Sequence, residues 1–237
     1  MKYGIVSDIH GNLEALMTVL SYLRDKVSSY ICSGDIVGYG PYPNECVEVM
    51  RTLEGLILVA GNHDLGAVGM KDIAELNSDA RTAIIWTSKV LNPENREYLR
   101  NLKCKVEEKK FTVVHGSPQD PTNEYLLDSC TMEKNLSFFN TALCFIGHSH
   151  IPLYYHKKKI EILGDDERIN PEEKAIVNLG SVGQPRDRNP MASFGIYDDE
   201  KGEIEIKRLS YDIRKTQEAM IKVDLPPFLI IRLTIGM

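Results

Sequence analysis

A chain of 237 residues, 43% hydrophobic and 26% charged, is long enough to bury a sizeable core without disulfides or metal staples. A net charge of -6 argues against a broad basic face for nucleic acid, and no apolar run approaches the roughly 18–20 residues of a membrane span. Five cysteines, an odd number without C-x-x-C spacing, argue against a disulfide framework or a thiolate zinc site.

Tyr3–Ser7 reads as a short strand that runs directly into polar residues, unlike a signal sequence, so cytoplasmic residence is the expectation. Asn12 then offers a helix cap ahead of Leu13, Leu16, Met17, Leu20 and Leu23 at helical spacing. Ser29–Cys32 and Leu56–Ala60 are the next strands, with a helix over Glu45–Thr52 between them. A helix is expected from Ile73 to about Val90, and another opens at Pro93 behind an Asn92 cap. This alternation implies a sheet with crossover helices.

The second half reads as β-rich, with short strands at Lys105–Glu108, Phe111–Val114, Ala142–Ile146, Leu153–His156, Lys159–Leu163 and Ala175–Asn178. Ser193–Tyr197 and Glu203–Leu209 flank a Gly-containing hairpin turn. Phe228–Ile235 reads as a last strand. Lys157–Lys159, the one basic run, reads as a solvated edge. No linker or repeat interrupts the chain, so residues 1–237 are expected to form one domain of two β-rich layers with helices outside.

Five polar clusters each follow an apolar strand-like run: Asp8-Ile9-His10, Gly34-Asp35, Gly61-Asn62-His63-Asp64, His115-Gly116 and Gly147-His148-Ser149-His150. Strand carboxyl ends are where α/β folds put their sites, and five such ends can converge on one crevice. Of the six histidines, five lie in these clusters, and His156 alone reads as an ordinary strand residue. Asp8, His10, Asp35, Asn62, His115, His148 and His150 form an oxygen and nitrogen set that suits Mn, Fe, Zn or Co. They are too many for one tetrahedral ion, and a carboxylate shared between two ions resolves the count.

In order, the clusters read D-x-H, G-D, G-N-H-D, H and G-H-x-H, and over about three-fifths of the chain they resemble the signature of the calcineurin-like metallophosphoesterases. Asn178–Asp187 further resembles the segment after the last motif in the compact bacterial and archaeal phosphodiesterase branch. The resemblance implies an α/β fold, a four-layer α-β-β-α sandwich of two mixed sheets flanked by helices. It implies two divalent metal ions, Mn, Fe, Zn or Co. Asp8, His10, Asp35 and His150 would hold one and Asp35, Asn62, His115 and His148 the other, with Asp35 bridging.

The same resemblance makes His63 the catalytic histidine that faces substrate and Asp64 its orienting partner. The implied reaction is in-line attack on a phosphate ester by a hydroxide held between the ions. A small-molecule or nucleotide phosphate ester is the expected partner. Arg186 is a candidate phosphate grip, level with a surface arginine paired to Asp187, and Asn12 is a helix cap with substrate contact as a second role. Tyr39 and Tyr42 either wall the site or belong to a rigid surface loop, and Gly66–Ser78 is a candidate flap. A phosphoprotein or small-molecule phosphomonoesterase and a non-catalytic metal-binding scaffold of the same fold are the alternatives. Oligomeric state stays open.

Overall fold

The computed structural model describes residues 1–237. The first half runs β1 (Lys2–Val6), α1 (Leu13–Leu23), β2 (Ser29–Cys32), α2 (Pro43–Arg51), β3 (Leu56–Leu58), α3 (Asn62–Ala67), α4 (Ser78–Val90) and α5 (Pro93–Arg100). There follow β4 (Lys105–Glu107), β5 (Phe111–Val114), α6 (Ser129–Asn135), β6 (Leu143–Ile146), β7 (Pro152–His156), β8 (Lys159–Ile162) and β9 (Arg168–Ile169). The chain closes with β10 (Ala175–Leu179), β11 (Ala192–Asp198), β12 (Glu203–Leu209), α7 (Ile213–Lys222) and α8 (Pro227–Ile235).

The strands form two mixed six-stranded sheets, ordered β3-β2-β1-β11-β12-β9 and β4-β5-β6-β10-β7-β8. Pairing is parallel along β1-β2-β3 and along β5-β6-β10, and antiparallel elsewhere. Strand alternation sorts the apolar side chains into layers. Ile5, Ile31, Val113, Phe145 and Val177 fill the space between the sheets. Their neighbours Val6 and Cys32 face α1, α2 and α4, while Val114, Cys144, Ile146 and Ile176 face α6. Each fully buried large side chain contributes about 1.5–3 kcal/mol. The result is the expected α-β-β-α sandwich.

Four elements differ from the sequence reading. Phe228–Ile235 is helix, not strand: Pro227 takes the first helical position and Gly236 closes the end in the left-handed region at φ 63°. The run buries Leu229 and Leu233 four residues apart, a helical spacing that its uniformly apolar sequence hides. Likewise α6 and α7 lie in the half read as β-rich, each started by an aspartate, Asp128 and Asp212, whose carboxylate accepts backbone N–H groups. The helix expected from Ile73 starts at Ser78, where Asn77 accepts from Ala80 N at 2.9 Å. Gly66 is part of α3, and within Gly66–Ser78 the side chains of Ile73 and Leu76 pack on the core.

Helices α7 and α8 add a fourth apolar cluster, in which Met220, Leu225, Leu229 and Leu233 pack on Tyr39 and on Ala80 and Ala83 of α4. This brings the last segment of the chain to the carboxyl ends of the first sheet.

Candidate metal centre

The parallel strands of both sheets end on one side of the sandwich, and all seven candidate ligands follow them there. Asp8 and His10 follow β1, Asp35 follows β2, Asn62 opens α3 after β3, His115 follows β5, and His148 and His150 follow β6. All seven are buried. Asp8, His10, Asp35, His148 and His150 have φ between 50° and 68°, the left-handed region that non-glycine residues seldom occupy. Such strain costs roughly 1 kcal/mol or more per residue and clusters at functional sites.

Neighbouring loops hold these conformations. Ser181 donates its hydroxyl to Asp8 O at 2.8 Å, Gly183 N donates to the same oxygen at 3.0 Å, and Asn178 Nδ2 donates to Gly147 O at 2.6 Å. Thus the post-motif segment Asn178–Asp187 braces the first and last clusters. Glycine is required at Gly61 and Gly147 by close approach: a Cβ would fall on Asp35 Oδ1 at the first and on Ser7 Oγ at the second.

The donors gather in two groups. In one, His10 Nε2 lies 3.1 Å from His150 Nε2, 3.6 Å from Asp35 Oδ2 and 3.9 Å from Asp8 Oδ1, and His150 Nε2 lies 3.3 Å from Asp8 Oδ1. In the other, His115 Nε2 lies 3.0 Å from Asn62 Oδ1, 3.2 Å from Asp35 Oδ2 and 3.1 Å from His148 Nδ1. Ligand atoms about 2.1 Å from one cation lie about 3–3.5 Å apart, so both groups have the spacing of a coordination shell.

The tautomers agree with this. His10 Nδ1 donates to Val37 O at 3.2 Å, His150 Nδ1 to Gln184 O at 2.6 Å, His115 Nδ1 to Ser33 O at 2.8 Å and His148 Nε2 to Asn123 O at 3.0 Å. Each imidazole therefore fixes one N–H on a backbone carbonyl and aims its other nitrogen inward, as metal-ligating histidines do. Burial holds His10 and His150 well below the usual imidazole range, which favours the neutral rings that ligate metals. Burial also opposes the His115 imidazolium, but the Asp35 carboxylate outweighs it and raises His115 to about 9.

His63 borders this set. Its backbone N donates to Asp35 Oδ1 at 2.8 Å, and its ring packs against His10 and Tyr39 with centroids 4.8 and 4.4 Å away. Its Nδ1 is buried without a partner, and burial lowers the imidazole to about 4. Asp64 does not orient it. The Asp64 carboxylate accepts from Asp35 N at 2.9 Å and from Val37 N and Gly61 N at 3.0 Å, so it ties the Asp35 loop to the start of α3.

Asn12 is likewise a structural residue. Its Oδ1 accepts from Ala15 N and Thr216 Oγ1, and its Nδ2 donates to Gly183 O and Tyr211 OH, which leaves nothing for substrate. Tyr39 walls the site, and Tyr42 stands at the start of α2 with its N–H on Gly11 O at 3.0 Å. Asp187 pairs with Arg208 rather than with Arg186, whose guanidinium turns toward Gln184 and Tyr39. The sequence reading missed Tyr125, which stacks on His148 at 3.8 Å, and the carbonyls of Ser33, Val37, Asn123 and Gln184. Backbone acceptors carry no side-chain signature by which to find them.

A profile of the calcineurin-like phosphoesterase superfamily domain matches residues 1–202. The chain belongs to this superfamily. An uncharacterized protein of Methanocaldococcus jannaschii is 40% identical over 241 residues, covering 98% of this chain and 97% of its own. The crystal structure of a metallophosphoesterase from Sphaerobacter thermophilus superposes with TM-score 0.92 at 39% identity, covering 100% of this chain and 99% of its own. A hypothetical protein from Pyrococcus horikoshii shares the fold at TM-score 0.84 and 22% identity, covering 100% of this chain and 98% of its own. The two donor groups thus belong to a calcineurin-like phosphoesterase domain, and they are able to bind metal. No helix of this domain is long and apolar enough to cross a membrane.

Proposed function

We propose that the chain hydrolyses phosphate esters at a centre of two divalent cations, with phosphodiesters or nucleotide-type small molecules as substrates. The observation that carries this reading is the position of Asp35. Its Oδ2 faces His115 at 3.2 Å and His10 at 3.6 Å, so one carboxylate stands between the two donor groups. Asp8, His10 and His150 complete one ligand set, and Asn62, His115 and His148 complete the other. A donor set without thiolate suits Mn, Fe, Zn or Co. Two such cations supply an activated water at neutral pH and neutralise charge on the phosphoryl oxygens.

The chain's own groups do the rest. His63 Nδ1 has no partner in the fold, and a ring nitrogen of His63 lies within 4.8 Å of an Asp35 carboxylate oxygen and a His10 ring nitrogen. His63 is the general acid, and a bound anionic phosphate favours the charged imidazole that burial alone disfavours. Arg186 grips a phosphoryl oxygen with its guanidinium. A cytoplasmic setting accords with five free thiols.

Hydrolysis of bis-p-nitrophenyl phosphate beside p-nitrophenyl phosphate, with Mn²⁺ added, tests the reading in wild type and His63→Ala. Diester cleavage is expected, with the variant slowed roughly 10²–10⁴-fold at unchanged metal content. A fully active variant would overturn the role of His63. Monoester preference would move the substrate to the phosphatase class, and absence of metal-dependent turnover would favour a scaffold of the same fold.

A further inference from the structure

Of the 11 tyrosines in this chain, all but Tyr125 are buried or half-buried. Tyr125 is 49% exposed, yet its ring is not free in solvent. It lies on the ring of His148 with centroids 3.8 Å apart and planes 29° from parallel. One face is therefore covered by a candidate metal ligand, and no other ring of the chain covers the second. An aromatic ring left half in water keeps its stacking surface available to a ligand.

The loop between β5 and α6 fixes this ring from both sides. Before it, the Glu124 carboxylate accepts from Ser117 Oγ and from Asn135 Nδ2. After it, Leu126 is buried against Met132 and Phe139. With both neighbours anchored inward, the side chain between them is turned out. Further back, His115 N and Gly116 N donate to Pro121 O at 3.1 and 2.7 Å, and Asn123 O accepts from His148 Nε2 at 3.0 Å. The ring is held in place by the fold, so a ligand that stacks on it meets little ordering cost.

Open space lies on the same side of the centre. The recess beside His10, closed by Tyr39, Met220 and Leu233, holds only about 10 Å³, room for little more than one water. On the side of His148, Asn123 borders with Leu65, Met70, Lys71 and Thr122 a recess of about 350 Å³, within the range of small-ligand sites. The organic part of an ester held at the centre has room there, next to the loop of Tyr125. A flat group on the outer face of Tyr125 would lie roughly 7 Å from the His148 ring, at about 3.5–4 Å per stacked layer. One sugar spans the gap from such a group to a phosphate at the cation that His148 would hold.

We propose that the outer face of Tyr125 is a stacking platform for a nucleobase, and that the substrate is a nucleotide ester with its phosphate at the cations. This rests on the phosphoesterase reading for the phosphate. Every base presents a π-face, so the platform selects nucleotides as a class without reading which base they carry.

The test is calorimetric binding of adenosine 5′-monophosphate and of ribose 5-phosphate, which differ only in the base, to the Mn²⁺-loaded protein. Wild type and Tyr125→Phe should bind the nucleotide about tenfold more tightly than the sugar phosphate. Tyr125→Leu should bring the two affinities within about twofold of each other, with a much smaller change for ribose 5-phosphate. Leucine keeps apolar bulk on His148, and Tyr125→Phe serves as the folded control with the stacking face intact. Equal affinities in wild type would overturn the platform. So would a Tyr125→Leu variant that weakens both probes by the same factor, since the ring would then only shelter His148. Turnover of bis-p-nitrophenyl phosphate by wild type, measured beside it, separates the two ideas. A nucleotide advantage without turnover keeps the platform and removes the enzyme, and turnover without the advantage does the reverse.

Discussion

Replacing Asp64 distinguishes what this residue does from what its place in the motif suggests. Its carboxylate is fully buried and accepts three backbone N–H groups, from Asp35, Val37 and Gly61, at 2.9–3.0 Å. Asp64→Ala leaves three buried donors unmet, at about 1–3 kcal/mol each. Burial and the nearby Asp35 raise Asp64 to about 7 against the pull of the Gly61 and Val37 N–H groups, so losing its charge returns part of that cost. The net expectation is about 3–5 kcal/mol, a large part of the stability of an ordinary domain. For a chain of this length that lowers the melting midpoint by roughly 6–20 °C, taking about 2–4 °C per kcal/mol. Asp64→Asn keeps one acceptor oxygen and should lose about a third to a half as much. Calorimetry of the metal-free proteins measures the midpoints, and metal analysis after Mn²⁺ loading measures the loss of ligand placement. If Asp64→Ala melted with wild type, bound its metals and failed only in turnover as His63→Ala does, the residue would act through the histidine and the argument here would be refuted.

Two further perturbations follow from the same geometry. Gly147→Ala would put a methyl on Ser7 Oγ and within 2.8 Å of Asp8 Oδ2, so Mn²⁺ affinity should fall at least tenfold by titration. Wild-type affinity in that variant would mean that the Asp8 loop can move freely. The second concerns pH in the metal-free protein. His115 is raised from 6.5 to about 9 in the fold, so its contribution to stability is complete below the unfolded value and is lost as pH rises through the folded one. Melting midpoints should therefore fall between about pH 6.5 and 9, and saturating Mn²⁺ should abolish the slope by displacing the proton. A slope that persists in His115→Asn would show that another group sets it.

The site was legible in the sequence because its chemistry demands particular side chains at strand ends. No core residue at Asp8, Asp35 or His148 would serve as well, and each follows an apolar run readable as a strand. Roles set by relative orientation were less legible. His63 and Asp64 are adjacent in sequence and suggest a pair, but they are consecutive residues of α3, where neighbours point about 100° apart and do not face each other. Asn12 shows the same limit: its spacing marks a helix cap, but its contact with Thr216 spans 204 positions and is invisible locally. The tail failed for a different reason. Phe228–Ile235 is apolar on every side because Leu229 and Leu233 face the core while Phe228, Ile231 and Ile235 are exposed, so neither period stands out. Pro227 and Gly236 were the signals that should have decided it.

The strain at the centre explains why so much of the chain is spent bracing it. Five of the candidate ligands lie in the left-handed region, and at about 1 kcal/mol each the strain amounts to about 5 kcal/mol, close to the whole stability of a marginal domain. Glycine would remove the strain at each position and the ligand with it, so the cost cannot be designed away. It is offset by bonds to backbone from residues that touch no substrate: Asp64 behind Asp35, Ser181 behind Asp8, Asn178 behind Gly147. The ring nitrogens of His10 and His150 meet at 3.1 Å, a spacing that two ligands of one cation would also have.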